Sequence, residues 1–515
     1  MRQESDQTRL EWLLGVALAV LAVVARLIPG PRTVDDAYIT FRYARNIVEG
    51  NGFVYNAAEH VLGTTTPLYT LLLAGLKWIF GSADFPILAL AVNSLFGALS
   101  VALIARLVKQ ITGHHAPALA ASLLWALTPH SVTFAIGGME TDLTITLLLA
   151  AALAHVSGRH TLLAAVSALA LLARPDTAIL LGLLWLDVLI ARRRIPWKEG
   201  LLGLAILTPW VIFAIWTFGS PVTGSVAAKS ITYRLPPEAD LVRLLQHYAT
   251  PFFEHETLPS AGVFAAFACY LGLGTLGSLR ILQRNRRNWP LVLYPLVYFA
   301  VFAIVNPLLF RWYLSPPMPF YYVVILAGFW SLASDLERVA HRSTSRIRLA
   351  VFAVLVAAVL GFTLNAWTLH PDHGPDRPAP KMAWFRLEQL YAQAADTVSA
   401  AATSGDTLCA GDIGVLGYRT RLHILDTVGL VTPESSAHYP ADPEIYVINY
   451  AIPAGLVLDL DPDFVIILEV YGRLDLLPNP QFQARYQLLQ KIETDIYGSD
   501  GMLIFARRQN PLPQR

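Results

Sequence analysis

Two adjacent aspartates, Asp35 and Asp36, stand in the stretch "TVDDAYITFRYARNIVEGNGFVYN" (residues 33–56), shortly after the first long apolar run. Such a pair can cap a helix, because acidic side chains at a helix start satisfy unpaired amides and oppose the dipole. It can also supply a general base or share a divalent cation such as Mg or Mn, although two side chains alone do not define a metal site. More ionisable residues gather at the ends of later apolar runs. These are Glu140 and Asp142 in "GGMETD" (137–142), Arg174 and Asp176 in "ARPDT" (173–177), Lys229 and Arg234 in "VTGSVAAKSITYR" (222–234), and Arg311 in "NPLLFRWYLSPP" (306–317). Ionisable groups beside lipid are costly and are by default functional candidates. Blander accounts stand next to that one: a structural pair for Arg174 and Asp176, snorkelling for Arg311, a solvated loop charge for Lys229. Carboxylates and cations together suit group transfer from a lipid-linked phosphate. When a sugar leaves, the phosphodiester becomes a monoester and gains charge that Arg or Lys can stabilise. The phosphate needs no general acid, whereas the attacking hydroxyl must lose its proton to a carboxylate, as in inverting glycosidases.

The elements that would hold these residues are membrane spans. The 515 residues are 55% hydrophobic and 15% charged, too apolar for a soluble enzyme of this size. Measured against about 20 apolar residues per span, the sequence offers roughly eleven candidates, near 12–29, 86–107, 116–136, 142–157, 161–173, 175–191, 199–218, 261–281, 289–308, 314–333 and 347–366. Arg106, Lys109, Arg159, "RRRIPWK" (192–198), "RNRR" (284–287), Arg338, Arg342, Arg346 and Arg348 all follow even-numbered spans. By the positive-inside rule those loops and the N-terminus are cytoplasmic, and the first loop (30–85), the 219–260 loop and the tail face outward. The acidic start "MRQESDQTRLE" and the length of the apolar run favour an uncleaved first span over a signal peptide. A net charge of +1 with no basic face argues against a nucleic-acid partner. Cys269 in a span and Cys409 in a strand read as two buried small hydrophobes.

The tail begins after the Pro-rich connector "LHPDHGPDRPAPKM" (369–382). Residues 383–402 have helical spacing, while "DTLCAGD" (406–412), "DFVIILE" (463–469) and "GMLIFARR" (501–508) read as strands. The layout is therefore a membrane domain over 1–368 and a soluble α/β domain over 383–515. "GDIGVLGY" (411–418) lacks GxGxxG and reads as strand-to-helix packing rather than a nucleotide fingerprint. In the first loop, Ala37, Phe41, Ala44 and Val48 form an apolar stripe, with Asp35, Arg42, Asn46 and Glu49 on another face. That spacing predicts a helix along the membrane surface, with Tyr38, Phe41 and Tyr43 at headgroup level. "PEADLVRLLQHYATPFFEHET" (237–257) reads as a mobile flap or a fixed surface helix.

The first span, the acidic outer loop, its helix and "TTTPLYTLLLA" (64–74) resemble the GT-C superfamily of polyprenyl-phosphate-sugar glycosyltransferases, a multi-pass α-helical membrane fold. The wording of "DDAYITFRYARNIVEGNGFVYN" is most similar to the bacterial branch that includes the terminal arabinofuranosyltransferases. The resemblance implies a catalytic carboxylate in the first outer loop, matched first by Asp35 and second by Asp36. It implies an acceptor or metal contact at Glu140, and donor-phosphate contacts at Lys229 and Arg311, with Arg42 and Arg174 behind them. Tyr313 and His60 complete the substrate-binding candidates. "HVLGTTTPL" (60–68) departs from the Gly-Tyr-Thr or Gly-Thr-Ser turn of many relatives on the acceptor side.

The expected protein is thus an inverting glycosyltransferase of the bacterial inner membrane. It would take a sugar from a polyprenyl-phosphate donor to a glycan, lipid or protein acceptor at the outer face, among membrane lipids. A transporter or flippase of lipid-linked sugars is the alternative, for which charges at mid-membrane and paired repeats would be expected. A non-catalytic assembly protein would need one or two spans, not eleven.

Overall fold

The structure, a computed structural model, describes residues 2–252, 259–339, 345–365 and 383–508. The 369–382 connector, Arg342 and the end of the 237–257 segment lie outside the described residues. The chain divides into two compact units. The first comprises Met1–Arg32, Pro86–Pro209 and Pro237–Ala379, the second Thr33–Phe85, Trp210–Pro236 and Pro380–Arg515.

The first unit is built from α1 (Arg2–Leu27), α4 (Phe85–Thr112), α5 (His115–Leu127), α6 (Pro129–Ile136), α7 (Thr141–Val156), α8 (His160–Ala173), α9 (Ala178–Arg192), most of α10 (Trp197–Phe218), α12 (Ala239–Tyr248), α13 (Ser260–Arg284), α14 (Trp289–Val305), α15 (Met318–Val339) and α16 (Ser345–Asn365). Among the described residues six helices are long and apolar enough to cross a membrane, seven if the bent pair α5 and α6 is one span. The chain is an integral membrane protein. The expected third span is thus two helices meeting at 41°, broken where Pro129 removes an amide and restricts Thr128. The expected fourth to sixth spans are helices of 16, 14 and 15 residues, about 21–24 Å long at ~1.5 Å per residue. That falls short of the ~30 Å hydrocarbon core. Helices α13 and α15 cross with backbones touching: a Cβ at Gly277 would lie 1.9 Å from the Val324 carbonyl oxygen, and one at Gly328 2.0 Å from that of Leu273. Small residues permit such crossings in lipid, where packing rather than the hydrophobic effect joins helices.

Within the 237–257 segment, α12 is tied to its neighbours by hydrogen bonds. Tyr248 Oη donates to the Pro295 carbonyl at 2.6 Å, His247 Nε2 meets the Leu314 carbonyl at 2.8 Å, and Asn306 Oδ1 accepts from the Asp240 amide at 3.0 Å. Cys269 corrects the reading of two buried thiols. It is exposed on α13, whose apolar surface suits lipid, whereas Cys409 is buried and both are free.

The second unit contains α2 (Asp35–Val48), α3 (Pro67–Ile79), α11 (Ser225–Thr232), α17 (Ala383–Ala401) and α18 (Gly414–Thr420) around a five-stranded sheet. The strands are β1 (Thr407–Ala410), β2 (His423–Asp426), β3 (Phe464–Leu468), β4 (Tyr486–Ile492) and β5 (Met502–Arg507), in the order β2-β1-β3-β5-β4. β1 lies parallel to β2 and β3, with Cys409 opposite both Leu425 and Val465; β5 runs antiparallel to β3 and β4. Helix α17, β1, β3 and β5 fall where the sequence placed them. β2 ("HILD") alternates in burial but offers only four residues with adjacent apolar Ile424 and Leu425, and β4 is a largely exposed edge with a bulge at Leu488/Gln490, so neither carries an alternating apolar sequence.

Helix α2 departs from the expected surface helix. Ala37 through Ala44 are buried without interruption, as is Asn46. Tyr38 and Phe41 pack on Tyr418 rather than at headgroup level. Tyr43 Oη donates to the Val61 carbonyl at 2.7 Å. Residues 54–56, together with Leu422 and the 413–418 segment, cover much of the face that local spacing assigned to water, while Glu49 stays exposed.

Candidate functional site

In the first unit, the expected site residues form buried ion pairs. Arg174 grips Asp176 with two guanidinium nitrogens at 3.0 and 2.7 Å, approaches Glu140 at 3.5 Å and donates to the Trp312 carbonyl at 3.3 Å. The Tyr313 ring lies 4.7 Å from the Arg174 guanidinium. Tyr298 Oη lies within hydrogen-bond reach of Asp176, at 2.9 Å, and of the Tyr313 carbonyl, between which its one proton is shared. Arg174 therefore ties the short turn between α8 and α9 to the 311–314 turn. Glu140 lies in the turn before α7; two residues on, Asp142 accepts from Arg26 Nε at 2.9 Å, and that guanidinium occupies the space a Cβ at Gly97 would need. Arg311 is exposed.

In the second unit, α2 is preceded by Val34, and no side chain caps it. The adjacent aspartates have separate tasks. Asp35 Oδ2 accepts from the Gly414 amide at 2.8 Å and Oδ1 from the Val415 amide at 2.7 Å, so this carboxylate caps α18. A glycine is needed there because a Cβ at Gly414 would lie 1.8 Å from the Asp35 carbonyl oxygen; one at Gly417 would meet Tyr55 Oη at 2.0 Å. Gly414 and Gly417 of "GDIGVLGY" thus serve packing of α18 on α2 and Tyr55 rather than on a strand, whereas Gly411 lies against Tyr450 and Thr427. Asp36, 28% exposed, points to Lys229 with Oδ2 3.8 Å from the ammonium. Arg42 is buried and donates to the carbonyls of Tyr55 and Leu422, both at 2.8 Å, and to Asn56 Oδ1 at 3.0 Å. His60 is exposed.

Sequence reasoning missed Asp412, which follows β1 and accepts from Tyr391 Oη. Burial raises its carboxyl above the ordinary aspartate range; the Tyr391 hydrogen bond opposes the rise, the Asp36 charge adds to it and Lys229 counters it. Asp35 is raised well above that range by burial and by the charge of Asp412, even though two amides favour its ionised form. Asp426, at the end of β2, is pushed up to about 6 by burial while accepting amides of Val428, Leu430 and Val431. Asp412 and Asp426 thus stand at the carboxyl ends of parallel strands, where α/β sheets commonly place ligands. That position was the one available signal, and it required knowing that β1 and β2 pair. Among the described residues, no group of three His, Cys, Asp or Glu is arranged to hold a metal ion. The acidic side chains here face Lys229, Tyr391 and backbone amides.

The structure is similar over 96% of its length to ArnT from Cupriavidus metallidurans bound to undecaprenyl phosphate, with 13% identity, 97% of that chain covered and a TM-score of 0.57. It is similar to the Archaeoglobus fulgidus oligosaccharyltransferase in complex with Zn and sulfate, with 11% identity, 96% and 73% coverage and a TM-score of 0.55. The archaeal oligosaccharyltransferase AglB from the same organism, in complex with an inhibitory peptide and a dolichol-phosphate, gives 12% identity, 98% and 75% coverage and a TM-score of 0.53. The chain has the GT-C fold. Residues 382–507 match a family described as a domain of unknown function, DUF8728. No curated protein matches the sequence significantly.

Proposed function

We propose that the protein is an inverting glycosyltransferase that moves a sugar from a polyprenyl-phosphate donor to a hydroxyl acceptor at the outer face of the bacterial inner membrane, with Asp36 as the general base. The observation that carries this reading is the division of labour in the aspartate pair. Asp35 is held by two backbone amides, whereas Asp36 is partly open and faces Lys229. An acceptor oxygen attacks the anomeric carbon, its proton passes to Asp36, and the bond from that carbon to the phosphate oxygen breaks with its electron pair. The phosphate leaves as a monoester with one more negative charge, which a cation must meet. Lys229 orients Asp36, and its ammonium is the cation assigned to the charge that develops on the donor phosphate. GT-C structures captured with undecaprenyl phosphate and dolichol-phosphate support the donor class.

The test is transfer in proteoliposomes from a panel of undecaprenyl- and decaprenyl-phosphate sugars, comparing the intact chain with Asp36→Asn, with a chelator in a parallel arm. Loss of turnover in a folded variant supports the base assignment, and the chelator arm decides metal dependence. Full activity in Asp36→Asn overturns the assignment. Movement of lipid-linked sugar across the vesicle without transfer overturns the enzyme reading in favour of transport.

A further inference from the structure

The arginine-rich end of the first unit, read as cytoplasmic by the positive-inside rule, holds a cavity that the proposed chemistry does not use. It measures about 230 Å³ and opens between the ends of α4, α13 and α15. Arg280, Arg284 and Arg338 line it with a single aspartate, Asp335, leaving two positive charges in excess. Asp335 pairs with Arg280 at 3.1 Å and with Arg338 at 3.2 Å. Among the described residues, no carboxylate pairs with Arg284. Its guanidinium is placed by shape: Gly113, at φ +79°, ends α4 in a turn, and a Cβ there would lie 2.5 Å from the Arg284 nitrogens. The buried Trp330 forms one wall, with the Arg348 guanidinium 4.7 Å from its ring and the His114 ring 5.2 Å away. Arg348 in turn pairs with Glu337 at 3.6 Å.

We propose that this cavity binds the phosphate of an anionic membrane-lipid headgroup, with Arg284 as the anchoring guanidinium. A planar guanidinium matches two phosphate oxygens at once, and basic pockets between helices at the cytoplasmic side are suited to lipid headgroups. The volume lies below the roughly 300–1,000 Å³ of sites for drug-sized ligands, which fits a headgroup with its acyl chains left in the bilayer. The helices that line the cavity are apolar spans, so its mouth opens at headgroup level. Because α13 and α15 are locked together through Gly277 and Gly328, the cavity is preformed.

The test uses the full chain in phosphatidylcholine nanodiscs, titrated with phosphatidylglycerol or, separately, with inorganic phosphate. Native mass spectrometry counts retained lipid and thermal unfolding reads the stabilisation. Phosphatidylglycerol is expected to raise the melting temperature, and Arg284→Gln to weaken its binding roughly ten-fold, the loss of one charged hydrogen-bonding group. Arg284→Lys, which keeps charge but not the fork, should fall between them. Arg280→Gln provides a second reading if Arg284→Gln does not fold. Equal lipid retention in wild type and variant overturns the proposal. Stabilisation by inorganic phosphate without any by phosphatidylglycerol overturns it in favour of a soluble phosphate ligand. Neither outcome depends on the transfer assay.

Discussion

At the scale of residues, the adjacent aspartates separate two effects that sequence alone merges. Removing a positioned general base costs about 10²–10⁴-fold in rate, so Asp36→Asn should abolish most turnover while leaving the melting temperature near wild type. Asp35→Asn keeps one acceptor oxygen but loses one of two amide bonds to α18; loss of a helix cap costs about 0.5–2 kcal/mol. It should therefore lower the melting temperature by a few degrees, a change read by thermal unfolding in detergent. Glu388, which accepts from Tyr38 Oη at 3.0 Å, is pushed up to about 7 by burial from the ordinary glutamate value of 4.5. Its folded value lies above its unfolded one, so its contribution to stability is complete below about pH 4.5 and is lost as pH rises through about 7. Unfolding scans across that window should show falling stability, and Glu388→Gln should flatten this part of the profile.

At the scale of elements, two packing contacts make opposed claims about function and structure. Helix α18 meets α2 only because Gly414 has no side chain. A Cβ there would lie 1.8 Å from a backbone oxygen, which cannot swing aside as a side-chain end can. Overpacking of this kind costs about 1–3 kcal/mol, so Gly414→Ala should lower both melting temperature and turnover, because it shifts α2 and the aspartates on it. Arg174 illustrates the other case. With Glu140 and Asp176 against it, its removal leaves buried carboxylates without their cation, a loss of about 3–5 kcal/mol. Arg174→Gln should thus destabilise the chain outright in thermal unfolding. A rise in donor KM at unchanged melting temperature would instead return Arg174 to the substrate.

At the scale of the whole molecule, the tail is not a separate bead. Residues 383–508 share a compact unit with the first loop, whose Tyr55, Arg42 and Asp35 hydrogen-bond to residues 413–422. Residues 383–515 expressed alone should show weak amide-exchange protection in α18, while the same amides in the full chain should be protected. Equal protection would mark the tail as independent. Much of this molecule was legible in its sequence. The run of apolar segments, the acidic first loop and three of five strands follow from composition and period, which are local properties. The break in the third span was less legible, because an apolar run does not reveal a bend of 41° at Thr128. The burial of α2 was not legible at all. Its polar face is satisfied partly by residues 54–56 and partly by the Leu422 carbonyl and the Gly414 and Val415 amides, and a local stripe cannot report a partner far along the chain. The sequence by itself thus determined the chemistry available, two aspartates with cations near lipid. Only the tertiary structure decided which aspartate is bound by amides and which stays partly open, because a hydrogen bond depends on the donor folded against it.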